Sequence, residues 1–142
     1  MKEIIQNHLQ TLFDLSTDLA NTMDEQQYAS KLANAPSDTL GTHLLSLVCA
    51  REKHLYLLKN KETREWSCSI DNAENKLQIL QALFHSSADI LVWLKNNNPT
   101  DTEVQIMLQL IECESVCHGR LMQYIEGNKW TLPDSLMFYY IK

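Results

Sequence analysis

Side chains that could do chemistry interrupt the apolar stripes of this sequence. When apolar residues are followed at helical spacing, six polar or ionisable residues fall on core-facing positions: His8, His43, His54, Ser87, Glu114 and His118. Burying an ionisable side chain is costly unless the group is paired or bound to a metal ion. These interruptions therefore predict a pocket, a hydrogen-bonded polar pair or a metal site in the core.

Glu114 and His118 are the most informative of these residues. They are four residues apart, so on a helix they lie one turn apart on the same face. That geometry can present a carboxylate oxygen and an imidazole nitrogen to one divalent ion. Such a pair is also often a hydrogen-bonded structural pair, and this alternative stays open. His43, on another predicted helix, could meet the pair as a third ligand.

Four amphipathic helices must position these residues. The spacing predicts helices over residues 3–23, from the Ser37-Asp38 cap to residue 60, over 72–97 and over about 101–126. Asp71 is the predicted cap of the third helix, and Thr100 or Asp101 that of the fourth. No strand pattern competes. Three Gly and three Pro in 142 residues also favour a few long helices over a fold rich in turns.

The predicted core-facing stripes are Ile5, His8, Leu12, Leu15 and Leu19; His43, Leu47, Ala50, His54 and Leu57; Leu77, Leu80, Phe84, Ser87, Leu91 and Leu94; and Val104, Met107, Ile111, Glu114, His118, Leu121 and Ile125. Four such helices predict an all-α, antiparallel four-helix bundle in a single domain over residues 1–142. The aromatic C-terminal segment WTLPDSLMFYYIK is expected to pack back onto the bundle.

Composition excludes some classes of partner. The net charge is −6 and no run of Lys or Arg forms a basic stripe, so we expect neither nucleic acid nor an anionic membrane as a partner. Polar residues interrupt the apolar run at the N-terminus, which argues against a signal peptide. No stretch approaches the roughly 18 uninterrupted apolar residues of a spanning helix. The expected location is the cytoplasm.

The four cysteines, Cys49, Cys68, Cys113 and Cys117, allow two disulfides in principle. Cys113 and Cys117 share one predicted helix and Cys49 lies in another. The expected role of the cysteines is therefore that of small apolar residues, without disulfides.

Two segments carry a resemblance to a known family. SDTLGTHLLSLVCARE in the second helix and ESVCHGRLMQYIEGNKWTLPDSL at the end of the fourth resemble the DinB-like, or YfiT-like, four-helix-bundle proteins. The resemblance implies a divalent ion held by a histidine of the second helix and an HxxxH pair of the fourth. It also implies, for some members, transfer chemistry on small-molecule thiols such as bacillithiol or mycothiol. Homodimers are frequent in the family.

The family's ligands carry over residue by residue. His118 matches the second histidine of the HxxxH pair, and Glu114 replaces the first. The histidine of the second helix falls at His43 in one register and at Ser46 in the other. The resemblance thus implies a site for Zn, Ni, Mn or Fe formed by His43 (or Ser46), Glu114 and His118. The alternative is a metal-free, dimeric bundle that binds a small ligand or another protein.

Overall fold

The structure, a computed structural model, describes residues 1–32 and 34–141. Two residues lie outside the described part of the chain: Ala33, in the predicted first connection, and Lys142, in the predicted C-terminal segment. In chain order the elements are α1 (Lys2–Thr22), α2 (Glu25–Tyr28), β1 (Lys31–Leu32), β2 (Ala35–Thr39), α3 (Leu40–Asn60), α4 (Lys76–Asn96), α5 (Asp101–Gly127) and α6 (Asp134–Tyr140). The long helices α1, α3, α4 and α5 form the predicted bundle.

Polar side chains fix where the long helices begin. Thr39 caps α3 and Thr100 caps α5, each accepting a hydrogen bond from the backbone N–H of the third helical residue, whose own side chain bonds back to the cap. The side chain of Asn75 caps α4. The predicted starts at Ser37-Asp38 and Asp71 are therefore wrong. Local capping chemistry selected Thr39 and Asn75 instead.

The connection between α1 and α3 contains a small antiparallel sheet that the periodicity did not predict. β1 pairs with β2, with Lys31 opposite Thr39, so residues expected to open the second helix form a strand. Ser30 accepts a backbone hydrogen bond from Leu40 at 3.0 Å, which fastens the start of α3 to this connection. Strands this short carry too few residues to show an alternating pattern.

The helices pack in two close antiparallel pairs, α3 with α5 and α1 with α4. Near the two ends of α1, Nζ of Lys2 contacts the carbonyl of Lys95 and Nζ of Lys76 contacts that of Asn21. Tyr124 likewise reaches back to the carbonyl of Asp38, just before α3 begins. The bundle with antiparallel packing that the stripes predicted is confirmed.

Residues 61–75, here called the return segment, run back along α3. Lys61 adopts a left-handed conformation, with φ of 62°, and ends α3. Trp66 then lies beside Lys53, Ser69 beside Glu52, and Ala73 against Gly41. Because the segment returns to the beginning of α3, α4 starts at that same end and runs parallel to α3.

The buried apolar residues form two clusters along the bundle. One contains Ile5, Leu9 and Phe13 with Leu55, Leu58, Ile90, Leu94 and residues of early α5. The other contains Leu12, Leu15, Leu19 and Ala20 of α1 with residues of the first half of α3, early α4 and late α5. Polar side chains of α1, α3 and α5 meet where these clusters adjoin.

Three predicted stripes need correction. On α3 the core-facing residues are Leu44, Leu47, Val48, Arg51, Leu55 and Leu58, whereas His43, Ala50, His54 and Leu57 of the predicted stripe are only partly buried. On α4 the core-facing residues are Ile79, Leu83, Ile90 and Leu94, whereas Leu77 and Phe84 are exposed. On α1, His8 is exposed and Leu9 is buried in its place. Helices α1 and α4 carry apolar residues on two adjacent faces, so spacing alone did not identify the face that packs. The α5 stripe is confirmed at Met107, Glu114, His118, Leu121 and Ile125.

Helix α4 is long and apolar enough to cross a membrane by length and composition, with a mean hydropathy of 1.2 over its most apolar window. Core helices pass the same test. Here α4 contributes Ile79, Leu83, Ile90 and Leu94 to the two clusters.

The expectation that the cysteines form no disulfide is wrong for one pair. Cys49 of α3 and Cys68 of the return segment are joined, with their Cα atoms 5.3 Å apart, a separation typical of disulfides. Cys113 is free and exposed, and Cys117 is free and buried. The spacing of the helices could not reveal that the return segment passes beside Cys49.

Candidate functional site

The centre of the bundle holds an ion pair between α3 and α5. Nε of Arg51 lies 2.5 Å from Oε1 of Glu114, and a terminal nitrogen of the same guanidinium lies 3.1 Å from Oε2. Both side chains are completely buried. Two parallel hydrogen bonds between a guanidinium and a carboxylate are the strongest form of this contact.

Arg51 is held on its other sides as well. Its remaining terminal nitrogen donates to the carbonyl oxygen of Leu83 in α4 at 3.0 Å. Its guanidinium carbon lies 4.3 Å from the centre of the Phe13 ring in α1, within the range of a cation–π contact. One side chain of α3 therefore contacts the three other long helices.

Ser16 and His118 extend the ion pair toward the C-terminal segment. The Ser16 hydroxyl lies 2.9 Å from Oε2 of Glu114 and 2.6 Å from Nε2 of His118. Nδ1 of His118 lies 2.6 Å from the hydroxyl of Tyr140 on α6. Ser16, Arg51, Glu114, His118 and Tyr140 form one connected set, which we call the polar network.

The protons of the polar network can be assigned from these contacts. Glu114, as the carboxylate partner of Arg51, only accepts hydrogen bonds, so the Ser16 proton points to Oε2 of Glu114 at 2.9 Å, with the carbonyl oxygen of Leu12 as a second acceptor at 3.1 Å. The Ser16 oxygen must then accept from Nε2 of His118, which places the ring proton on Nε2. Nδ1 is left as an acceptor, and the Tyr140 hydroxyl donates to it. In this chain of hydrogen bonds, Tyr140 donates to His118, His118 donates to Ser16, and Ser16 donates to Glu114.

Burial keeps the network free of further charge. Burial lowers the pKa of His118 to about 4, against the opposing effect of nearby Glu114, so the ring is neutral at pH 7. Burial also raises the pKa of the Tyr140 hydroxyl to about 12, with contributions from Tyr139 and Glu114. The network thus carries one positive and one negative charge, and these are paired with each other.

The Ser16–His118 contact has the separation of a nucleophile and its general base, but it lacks their arrangement. In a catalytic triad the carboxylate binds the ring nitrogen remote from the serine. Here Tyr140 occupies that nitrogen, and Glu114 accepts the serine proton instead. Ser16 is also completely buried. This geometry supports a structural role for Ser16.

The structure brings together two of the three predicted metal ligands. Nε2 of His118 lies 3.8 Å from Oε2 of Glu114. His43 lies instead beside Tyr124, with ring centres 5.2 Å apart. Ser46, the alternative ligand, is exposed and donates to the carbonyl of Thr42.

The residues present fit a divalent cation poorly. Both oxygens of Glu114 are bonded to Arg51, and a guanidinium at that distance repels a cation. Both ring nitrogens of His118 are bonded to protein hydroxyls. Within residues 1–32 and 34–141, no group of three or more His, Cys, Asp or Glu side chains could hold a metal ion. The three-ligand set stays a prediction.

A surface groove between α3 and α5 lies beside the network. Its mostly apolar half has a volume of about 350 Å³ and is lined by Leu47, Ala50, Val116 and Cys117 together with Ser46, Glu112 and Cys113. Its polar half encloses about 340 Å³ and includes Asp38, His43 and Tyr124. Arg120 lines both halves. These two depressions meet at Arg120, and together we call them the α3–α5 groove.

The free thiols beside the groove are weak nucleophiles. Burial raises the pKa of Cys117 to about 12, and the thiol donates to the carbonyl of His43 at 3.1 Å. Burial and the adjacent carboxylates of Glu114 and Glu112 raise the pKa of Cys113 as well. Since the thiolate is the reactive form, neither cysteine is activated.

Sequence reasoning missed Arg51, Ser16 and Tyr140. A signal for Arg51 was present, because Leu44, Leu47, Val48, Arg51, Leu55 and Leu58 form a helical series that contains one charged residue. The spacing through Leu9, Leu12, Ser16 and Leu19 likewise indicates Ser16. Tyr140 depends on how α6 folds back, which periodicity does not specify. Comparison of the chain with models of protein families, with curated proteins and with solved structures finds no match.

Proposed function

We propose that this protein is a metal-free binding module of the four-helix-bundle type, in which the α3–α5 groove holds a small amphipathic anion. The observation that carries the proposal is the position of Arg120. This arginine lies where the apolar and polar halves of the groove join. It makes no hydrogen bond or ion pair with any residue in the described part of the chain.

The lining of the groove defines the class of ligand. Val116 is 55% exposed, and together with Leu47 and Ala50 it offers an apolar surface to a hydrocarbon body. Arg120 offers a guanidinium to a carboxylate or similar anionic group. Burial lowers the pKa of His43, and Arg120 lowers it further against the effect of Asp38. A neutral His43 can therefore add a hydrogen bond without a charge of its own.

The net charge of −6 repels anions, but salt limits the distance over which this repulsion acts. At physiological salt, exposed charges are screened beyond about 8 Å. Within the groove the charged lining residues are Arg120, Glu112 and Asp38, and Arg120, which lines both halves, supplies the positive charge that an anionic group needs.

The network supports the metal-free part of the proposal. Arg51 supplies beside Glu114 the positive charge that a divalent ion would supply in a DinB-like protein. The resemblance to that family accounts for the order of the helices and for the position of His118. Under this proposal, Glu114 and His118 hold the helices together and do not bind a metal.

Calorimetric titration with decanoate tests the binding function, with decyltrimethylammonium as the probe of reversed charge. We expect decanoate to bind and the cation not to bind. Arg120→Gln removes a charge-assisted hydrogen bond and should weaken binding about tenfold or more. Arg64→Gln, at an exposed arginine outside the groove, is the matched control. Absence of binding, or equal binding by Arg120→Gln, contradicts the proposal.

Elemental analysis of protein purified without chelator tests the metal-free part. We expect far less than one divalent ion per chain, and no change in His118→Ala. Near-stoichiometric Zn, Ni, Mn or Fe that disappears in His118→Ala supports the rival metal-dependent thiol transferase. A small-molecule thiol would then be the expected substrate.

The homodimer implied by the resemblance is a second proposal for the same surface. Glu112, Val116 and Arg120 follow one another at four-residue spacing on α5, so two antiparallel copies would pair unlike charges about a central valine. Light scattering with and without decanoate separates the two. A dimer that dissociates on binding shows that both use the groove.

A further inference from the structure

The Cys49–Cys68 disulfide fastens the middle of the return segment to α3. The two cysteines are 19 residues apart in sequence, and the bond crosses from a helix to a segment with no helix or strand of its own. Both cysteines are partly exposed, so a reductant can reach the bond. The disulfide therefore differs from a structural disulfide that is buried in a core.

Few other polar contacts hold this segment. Between residues 62–74 and the helices of the described chain, the hydrogen bonds are the two from Ser69 to the carboxylate of Glu52, at 2.8 and 2.5 Å. Lys53 places its ammonium 5.7 Å from the ring centre of Trp66. Nε1 of Trp66 is buried without a hydrogen-bond partner among the described residues. The covalent bond is thus the main restraint on this part of the segment.

The segment forms one side of an open surface cavity. Trp66 and Ser67 face Tyr56 of α3 and Asp89 of α4 across a space of about 290 Å³. This cavity is separate from the α3–α5 groove, and no residue lines both. Movement of the segment therefore changes the lining of this cavity and not that of the groove.

We propose that the Cys49–Cys68 disulfide is a redox-sensitive clamp that holds the return segment against α3 and thereby keeps Trp66 and Ser67 in place at the edge of this surface cavity. A small dithiol opens the clamp by thiol–disulfide exchange. Its first thiolate attacks one of the two sulfurs, breaks the Cys49–Cys68 bond and forms a mixed disulfide with that cysteine. Its second thiol then attacks the mixed disulfide and releases the cysteine as a thiol. The dithiol leaves as its own disulfide, and Cys49 and Cys68 take up two electrons and two protons as thiols.

The bundle does not need the clamp in order to stay folded. The residues of the polar network all belong to helices, and neither Cys49 nor Cys68 is among the buried residues of the two apolar clusters. Cys68 and Ile70 pack against one cluster from its edge. Opening the clamp therefore releases a segment and leaves the helices in place. The expected location of the chain is the cytoplasm, where disulfides, when they form, are usually of this reversible kind.

Limited proteolysis of the full chain, with a protease that itself lacks disulfides, tests the clamp. We expect cleavage within residues 62–70 to be at least about tenfold faster after treatment with dithiothreitol, while the helical circular dichroism stays unchanged. Removal of dithiothreitol and reoxidation should restore the resistance. Cys49→Ser/Cys68→Ser should be cleaved at the fast rate in both conditions, and Cys113→Ser, which keeps the disulfide, should behave like wild type.

Two outcomes overturn the clamp. Equal cleavage of oxidised and reduced wild type shows that the other contacts hold the segment without the disulfide. Loss of helical circular dichroism on reduction shows that the bond stabilises the whole fold and does not act locally. If the double variant fails to fold, the comparison of oxidised with reduced wild type decides between these outcomes.

Discussion

Arg51 and Glu114 are paired through two hydrogen bonds across α3 and α5, with Nε of Arg51 2.5 Å from Oε1 of Glu114 and no exposed surface on either side chain. Each side chain neutralises the charge of the other. Because both are fully buried, solvent cannot stabilise either charge if its partner is removed. One further donor of the guanidinium bonds to the carbonyl oxygen of Leu83, and Oε2 of the carboxylate also accepts from Ser16. The pair is therefore sensitive to the loss of either partner.

Arg51→Met should lower the free energy of unfolding by about 3–5 kcal/mol, because it leaves the Glu114 carboxylate buried and uncompensated. The double variant Arg51→Met/Glu114→Leu should recover most of this loss, since it removes both charges and keeps apolar volume. Urea denaturation of wild type, Arg51→Met, Glu114→Leu and the double variant measures these free energies.

The exposed ion pair between Lys61 and Glu103, with 67% of the lysine side chain exposed, provides the control. Lys61→Met should cost less than about 1 kcal/mol. A double variant as unstable as Arg51→Met would show that the loss comes from packing and not from the unpaired charge.

The stability of wild type should fall as the pH decreases from 7 to 5 because of His118. The folded-state pKa of about 4 lies below the ordinary value of 6.5, so the unfolded chain binds a proton in this range while the folded chain does not. The contribution is fully present above about pH 6.5 and is lost as the pH falls toward 4. Between pH 7 and pH 5 the loss is about 2 kcal/mol.

His118→Gln removes this titration and should lose about 2 kcal/mol less than wild type over the same interval. Urea denaturation at both pH values gives the difference, in which the titration of other groups cancels. His8→Gln, at an exposed histidine of α1, should retain the pH dependence of wild type. Identical pH dependence in wild type and His118→Gln would refute the buried neutral ring.

The ring proton of His118 should reside on Nε2. Tyr140 donates to Nδ1 in the proton assignment of the network, so the ¹⁵N chemical shifts of the ring should identify Nε2 as the protonated nitrogen at pH 7. Tyr140→Phe removes one hydrogen bond and should cost about 1 kcal/mol. Tyr56→Phe on α3 is the matched control. A ring protonated on Nδ1 in wild type contradicts the assignment.

Gly41→Ala and Gly119→Ala should have opposite effects on stability. A Cβ on Gly41 would overlap the carbonyl group of Ala73 in the return segment, so the substitution forces backbone apart and should destabilise the fold by about 1–3 kcal/mol. No atom lies within 4 Å of a Cβ on Gly119, and there alanine should stabilise α5 by about 0.5–1 kcal/mol. Thermal unfolding of both variants measures the signs. The prediction fails if Gly41→Ala is as stable as wild type.

The sequence was sufficient for the class of fold and for the buried face of α5. Glu114 and His118 stand alone among apolar residues at helical spacing, so their burial followed from the pattern. The partners of these residues did not follow from it. The role of Arg51 did not follow because the stripe predicted for its helix, through His43, Leu47, Ala50, His54 and Leu57, lies beside the buried series from Leu44 to Leu58 that contains Arg51.

The remaining differences come from contacts between distant parts of the chain. The route of residues 61–75 back along α3 depends on the Cys49–Cys68 bond and on the close approach of Ala73 to Gly41. Neither feature has a local sequence pattern. The position of Tyr140 over His118 likewise depends on the docking of α6, whose residues Phe138 and Met137 stay exposed. Apolar composition alone therefore did not identify the packed face of the C-terminal segment.

The location of the polar network between two apolar clusters has a consequence for helix alignment. In a purely apolar core, a helix can slide along its neighbour by one turn and still cover its hydrocarbon surface. The network forbids such a shift, because a one-turn slip of α5 would separate Glu114 from Arg51 and His118 from Ser16 simultaneously. Since the contacts of these residues reach α1, α3, α4, α5 and α6, the network fixes the relative register of five helices at one place.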